Sequence, residues 1–400
     1  MRIIHLATTL NGGAGIAARR LVQAQIRVGA NANIMSRGIH SGSTQLPLEV
    51  VNYAYTKKIE SSVNTMFQSK IIQKDSRLVT PISIQISKDM FEKLHDADVL
   101  HVHSYYNFLS INSFRTLDSL KIPIFLTLHD QRVFTGGCHY SDGCVQYQTT
   151  CNSCPQVKPF FRKLVEKSQE RQSKTFSSLN NLHVISPSRW LASIAESSQI
   201  LNGRKVHVLP NALPEEFSML ATKNSPRKYK FAFIAENLWN PFKNFSLFVD
   251  ALKNENVKAN LGDEKVLIIG KGDLSRVELG ITIEHVSTNS AAQMADYLQH
   301  VETVVVPSSQ DNSPSVVLEA LAAGARVVGS NAGGIPELIQ SSPHIIFESG
   351  SLNSLVEALS RKVIEINHGE ISKMGYAKYS LEEIGSSSIK LYQKFLQFKE

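Results

Sequence analysis

No apolar run in this 400-residue chain is long enough to cross a membrane, no tract is of low complexity, and no unit repeats. These absences exclude a helical membrane span, a disordered tail and a solenoid. Charge of one sign is not in large excess either. The 42 Lys and Arg against 35 Asp and Glu leave a formal +7, and no nucleic-acid recognition motif accompanies it, so nucleic acid is not an expected partner. The opening stretch MRIIHLATTL lacks the order of a signal peptide and reads as a first strand, which makes the cytoplasm the expected location. Cysteine is scarce and confined: all four, Cys138, Cys144, Cys151 and Cys154, fall in one stretch. The length exceeds what a single core ordinarily holds, and two domains are expected.

What is present centres on residues 307–337. A valine-rich run from Val301 to Val306 reads as a buried parallel strand ending at Pro307. A loop follows, then a helix with Ser313 as N-cap and Pro314 at its first position, closed by Gly324. Another strand starts at Arg326. In such a strand–loop–helix–strand unit the loop lies at the carboxyl ends of the strands, where open α/β sheets bind ligands. The first-turn amides of Ser315, Val316 and Val317 are a ready site for an anion. Asp311 in the loop and Glu319 in the helix stand eight positions apart, and Glu319 is placed to accept from a hydroxyl such as a ribose's; otherwise it is a surface helix residue.

The amino-terminal half repeats the strand-and-turn pattern. Residues 2–7 read as a strand, 11–15 as a glycine turn and 16–26 as a helix ending at Gly29. The spacing of Gly12, Gly13 and Gly15 is not G-x-G-x-x-G, and no acid ends the strand at 33–37, which argues against a dinucleotide site. Two more strands are expected at 99–103 and 122–130. His101 and His103 share one strand face, either as a metal pair or as histidines satisfied by hydrogen bonds. His129 and Asp130 sit at a strand's carboxyl end, and Asp130 is the one strand-end acid of this half placed to act as a base. The cysteines follow as C-x5-C-x6-C-x2-C, which in a reducing compartment reads as four thiolates around a structural zinc, with unligated thiols as the alternative. Two prolines around Asn211 mark a linker, and strands at 231–235, 265–273 and 285–287 open a second sheet. Basic residues cluster in 157–174, with Lys57, Lys58, Lys70 and Lys74 on an earlier helical stretch; this is a solvated face or a surface for an anionic membrane.

The acid-x7-acid spacing of Asp311 and Glu319 resembles the signature of family 4 nucleotide-sugar glycosyltransferases, with Asp311 in place of the usual first Glu. The stretch from His129–Asp130 through FTGGCHY to CPQ is similar to one branch of that family, the exopolysaccharide and colanic-acid type. Arg132 and Val133 stand where that branch carries an aromatic. The resemblance implies a GT-B fold: α/β, two doubly wound Rossmann-like domains facing a cleft. They would span 1–212, joined by a terminal helix at about 380–400, and 213–379. It implies that Glu319 holds the donor ribose, that Asp311 and its loop hold the transferred sugar, and that His129 touches that sugar. Gly12 and Gly13 would lie against the diphosphate. Lys243 matches a diphosphate-gripping Lys, while Glu236 and Asn237 occupy the region of the accompanying Arg.

The expected activity is a retaining transfer from a UDP- or GDP-sugar to a glycan or lipid-linked acceptor in bacterial surface polysaccharide synthesis, with peripheral contact at the inner membrane face. Lys243, His129, Asp311 and Asp130 are the catalytic candidates. Gly12, Gly13, Glu319, Ser315, Val316 and Val317 are the donor-binding ones. No cofactor is required for the chemistry, apart from the structural zinc. The rival readings are a nucleotide-sugar epimerase or hydrolase of the same fold, and a binder without turnover.

Overall fold

The computed structural model describes residues 1–37, 46–50, 72, 86–106, 108–218, 220, 225–275, 277–288, 290–340, 343–362 and 367–396. The chain forms two compact units, Met1–Asn211 with Ile384–Glu400, and Ala212–Glu383. Lys57, Lys58, Lys70 and Lys74 lie outside the described residues.

In the first unit seven parallel strands are ordered β3-β2-β1-β4-β5-β6-β7. They are β1 (Arg2–Ala7), β2 (Asn31–Ser36), β3 (Leu48–Val50), β4 (Val99–Ser104), β5 (Ile124–Thr127), β6 (Leu182–Ser186) and β7 (Val206–Val208). The chain winds outward from β1 in one direction and from β4 in the other, so the topological switch lies between β1 and β4, where open sheets bind ligands. These strands read as continuous apolar runs because helices cover both faces. The helix Gly12–Arg27 starts at Gly12 and not after Gly15, so the glycine turn is the helix's own first turn. Gly12 has φ +70°, a conformation that costs a residue with a Cβ ~1 kcal/mol or more. The terminal helix Leu381–Leu396 buries Ile384, Ser388 and Tyr392 in this unit, and Gln25 Nε2 donates to Ser388 Oγ (3.1 Å) and Tyr392 Oη (3.0 Å).

The second unit has six parallel strands in the order β10-β9-β8-β11-β12-β13. They are β8 (Tyr229–Asn237), β9 (Lys265–Lys271), β10 (Ile283–Val286), β11 (Val301–Val306), β12 (Arg326–Ser330) and β13 (Ile345–Phe347). Alternation along β8 feeds two cores: Phe231 and Phe233 pack with Phe245 and Phe248 on one face, and Ala232 joins Val317, Leu318 and Leu321 on the other. Each fully buried Phe or Leu stabilises the unit by about 1.5–3 kcal/mol. The helix Ser315–Ala322 is buried from Val317 to Ala322. It begins one residue later than its sequence suggests, with Pro314 at the N-cap and no side-chain cap, because Ser313 does not turn back onto it. The switch here falls between β8 and β11.

Candidate active site

The loops after β8, β11 and β12 meet beside the second switch point. Asn240 Oδ1 accepts from Phe242 N (3.0 Å) and shapes the turn Pro241–Lys243; the left-handed Asn244 (φ 56°) ends it. Ser309 N donates to Phe242 O (2.9 Å), which ties this turn to the loop after β11. Ser330 Oγ donates to Ser308 O (2.6 Å), and Gly334 N donates to Asp311 O (3.0 Å), which ties in the loop after β12. A Cβ on Gly333 would lie 1.9 Å from Asp311 O, and its φ is +60°, so only glycine fits there. The outcome is one ion pair at the switch point: Lys243 Nζ donates to Asp311 Oδ2 at 2.5 Å, with the two side chains 28% and 9% exposed. Below them the helix Ser315–Ala322 presents its amino end. Val317 N donates to Pro314 O (3.1 Å), which leaves Ser315 and Val316 as the first-turn donors. Ser313 Oγ is buried and has no hydrogen-bond partner among the described residues. A buried hydroxyl without a partner is costly in the empty protein and is relieved by a ligand. Glu319 lies one turn deeper and is 8% exposed, so it is not a surface helix residue.

In the first unit the switch point carries a chain of imidazoles. His5 on β1 is opposite His101 on β4, and the His101 and His103 rings stack 4.2 Å apart. Because the Gln25 amide nitrogen is committed to Ser388 and Tyr392, its Oε1 faces His5 Nε2 (2.7 Å), which therefore carries the proton. His5 Nδ1 then accepts from His103 Nε2 (2.9 Å), and His103 Nδ1 accepts from His129 Nε2 (3.1 Å). Tyr392 Oη donates to His101 Nδ1 (2.5 Å), and His101 Nε2 donates to Thr127 Oγ1 (2.6 Å). All four rings are neutral: burial lowers His5 and His129 to about 4 and holds His101 and His103 well below 6.5. His5, His101 and His103 are the one trio of metal-capable side chains, among the described residues, with ligand atoms within 4.8 Å of one another. Their nitrogens are engaged with one another and with Gln25, Tyr392 and Thr127, which favours the hydrogen-bonded reading over the metal pair.

Asp130 is committed elsewhere. Its Oδ1 accepts from Arg132 N (2.8 Å), and its Oδ2 accepts from Arg132 Nε (2.8 Å), from Arg132 Nη2 and from His139 Nδ1 (3.1 Å). Burial pushes the carboxyl upward, but the Arg132 guanidinium and His139 overcome that and hold it far below the usual range. A carboxylate so engaged is a weak proton acceptor near neutral pH. Arg132 also lies 4.6 Å over the Tyr106 ring, so the position that departs from an aromatic still packs on one. The four cysteines line a single cavity behind this cluster.

Residues 228–364 match the family model of glycosyl transferases group 1. Over 376 residues, 85% of this chain and 91% of the other, the sequence is 22% identical to WcaC of Escherichia coli K12, a protein named for glycosyl transfer in colanic acid biosynthesis. The sucrose-phosphate synthase of Thermosynechococcus elongatus superposes with a TM-score of 0.64 at 15% identity, covering 99% of this chain and 100% of that one. Anabaena HepE, solved with UDP and glucose, superposes with 0.62 at 13% identity over 98% and 100%. The chain is a GT-B glycosyltransferase. Its two parallel-sheet α/β units are those of that fold.

In this glycosyltransferase the candidates in the second unit, Lys243, Asp311, Glu319, Ser315 and Val316, converge on one switch point. Those of the first unit divide between the imidazole chain, the Asp130 cluster and the helix start, where Gly12 and Gly13 face open space. Among the described residues of the second unit, the arginines are engaged away from this site. Arg326 is 1% exposed at the amino end of β12 and donates to Ala358 O (3.3 Å), away from the carboxyl-end loops. Arg227 donates to Gln299 O (2.9 Å) and Val301 O (2.8 Å), and Arg361 pairs with Glu357. Sequence reasoning passed over Ser313 as a ligand donor, Gly333 and the His5–Gln25 link. Only the period-two histidines of β4 signalled the last of these.

Proposed function

We propose that this glycosyltransferase is a family 4 enzyme that moves a sugar, with retention, from a UDP- or GDP-sugar to a glycan or lipid-linked acceptor in bacterial surface polysaccharide synthesis. The observation that carries the reading is the Lys243–Asp311 pair beside the amino end of the helix Ser315–Ala322. A cation, two amides and a partnerless hydroxyl at a switch point suit a diphosphate, and the buried Glu319 suits a ribose hydroxyl. HepE has been solved with UDP-glucose, and WcaC is named for colanic acid, which support the donor class and the pathway class.

In this reading Lys243 leaves Asp311 for the diphosphate as the bond between the anomeric carbon and the phosphate oxygen breaks and its electron pair passes to that oxygen. Lys243 and the Ser313–Val316 donors stabilise the developing charge, which is usually the largest catalytic effect. Asp311, released, accepts from a hydroxyl of the sugar. The acceptor oxygen bonds to the anomeric carbon on the same face, and its proton goes to the departing phosphate oxygen. No protein base is needed, in keeping with the commitment of Asp130. The resemblance also assigns His129 a contact with the sugar. Phe160, 88% exposed, and Leu164 stand among exposed Lys158, Lys163, Lys167 and Lys174, the surface we assign to peripheral membrane contact at the cytoplasmic face.

A thermal-shift panel of nucleotide sugars identifies the donor, since a ligand selective for the folded state raises its stability. Release of nucleoside diphosphate must then depend on an added acceptor, and proton NMR of the first product must show the donor's anomeric configuration. Release without acceptor would support the hydrolase reading, binding without turnover the silent binder, and an inverted first product would remove retention. Co-sedimentation with anionic, but not neutral, vesicles tests the membrane surface.

A further inference from the structure

The cysteine stretch forms no regular element longer than a turn and much of its chain is exposed, yet most of its cysteines point inward. Cys138, Cys151 and Cys154 are buried, Cys144 is half-buried, and all four are free thiols. They line one cavity of about 10 Å³, together with Thr135 and Tyr147. That volume admits a single water-sized sphere. It is the size of an ion and far too small for a sugar or nucleotide. Cys138 and Cys154 are in thiol hydrogen-bond contact, and the other two sulfurs face the same space.

The surroundings are arranged for thiolates. Cys154 Sγ accepts from the backbone N–H groups of Gln156 and Val157, and Cys151 Sγ accepts from that of Gly136. Backbone donors of this kind hold a metal-bound sulfur in place and offset its charge. A Cβ on Gly136 would lie 2.4 Å from Val165 and 3.0 Å from Cys151, so the donor strand is pressed against the ligand set. The frame is fixed from outside by the helix Arg162–Ser177: Gln169 Oε1 accepts from Cys151 N (2.7 Å), Gln169 Nε2 donates to Tyr147 O (3.2 Å), and Arg162 Nε donates to Cys154 O (3.2 Å). Thr135 Oγ1 accepts from Cys138 N (2.9 Å) at the other end.

We infer that Cys138, Cys144, Cys151 and Cys154 hold one zinc ion, a closed tetrahedral site that staples residues 131–158 into a rigid loop. Four thiolates with no open position make the site structural and not catalytic. Three of its four ligands are buried, no three of the sulfurs lie within 4.8 Å of one another, and ligation draws them inward to about 2.3 Å from the ion. The inference does not depend on the donor or acceptor of the proposed reaction. Its consequence for the enzyme is local: the same loop carries Arg132 and His139, which hold Asp130 beside His129.

Protein purified without added metal should carry about one zinc per chain by mass spectrometry of the metals. Released by a mercurial thiol reagent, that zinc should appear together with four titratable thiols. Cobalt substitution should give sulfur-to-metal charge transfer and the strong visible bands of tetrahedral cobalt. Cys144→Ser, at the half-buried position, should fold, lose most of its metal and become cleavable by protease within 138–158. Metal-free wild-type protein whose four thiols react in the native state would overturn the proposal. So would a mass two or four hydrogens short under non-reducing conditions, which means disulfides, or an iron-sulfur absorption spectrum.

Discussion

Removing Lys243 separates a catalytic cation from a structural one, because its partner gives each role its own signature. The Lys243–Asp311 pair joins a side chain 28% exposed to one 9% exposed. Exposed pairs contribute ~0–1 kcal/mol, whereas breaking a buried pair costs ~3–5 kcal/mol because it strands a charge. This pair lies between those limits, so Lys243→Ala should cost about 1–3 kcal/mol of stability. Asp311→Asn in the same chain removes the stranded charge and should restore most of that loss. Turnover should behave otherwise. A donor placed on the developing oxyanion is worth ~3–4 kcal/mol, so Lys243→Ala should lower kcat at least ~100-fold with little change in acceptor KM. The double variant should stay as slow as the single one. Lys243→Arg should recover only part of the rate, since a planar fork does not reproduce a point charge. The assays are urea melts of the second unit's transition and acceptor-dependent release of nucleoside diphosphate. Turnover within a few-fold of wild type in Lys243→Ala, or a rate that returns with stability in the double variant, would refute the reasoning.

Glu319→Gln should weaken nucleoside diphosphate binding by about 1.5–3 kcal/mol in calorimetry with unchanged circular dichroism, and equal affinity would remove the ribose assignment. Gly333→Ala forces a Cβ to 1.9 Å from Asp311 O, so the melting temperature should fall by at least ~2–4 °C and turnover with it, as the Asp311 loop shifts. His5, His129, His183 and His344, each lowered by burial from 6.5 to about 4, make stability depend on pH. Unfolded, they bind protons below pH 6.5; folded, they stay neutral to about pH 4, so stability is complete above 6.5 and lost as pH falls through this window. Thermal melts from pH 4 to 8 that are flat below 6.5 would show that these rings are not buried neutral.

Much of the fold was legible because parallel sheets covered on both faces demand continuous apolar runs. Val301–Val306 could only be a buried strand, and Gly324 with Arg326 marked the next one. The edge strands β3 and β13 went unread: three residues are too few to show any period. The pairing of Lys243 with Asp311 lay beyond sequence, since the two are 68 positions apart and meet only because β8 and β11 flank the switch point. Asp130 shows the converse. Its place at a strand end was legible, and the Arg132 and His139 that bind it became visible only once the loop closed. Residue type and spacing thus determined which chemistry the chain carries, because those are local properties of strands, turns and helix ends. Which groups are free and which are engaged is a matter of burial and approach, and the tertiary structure alone decided it.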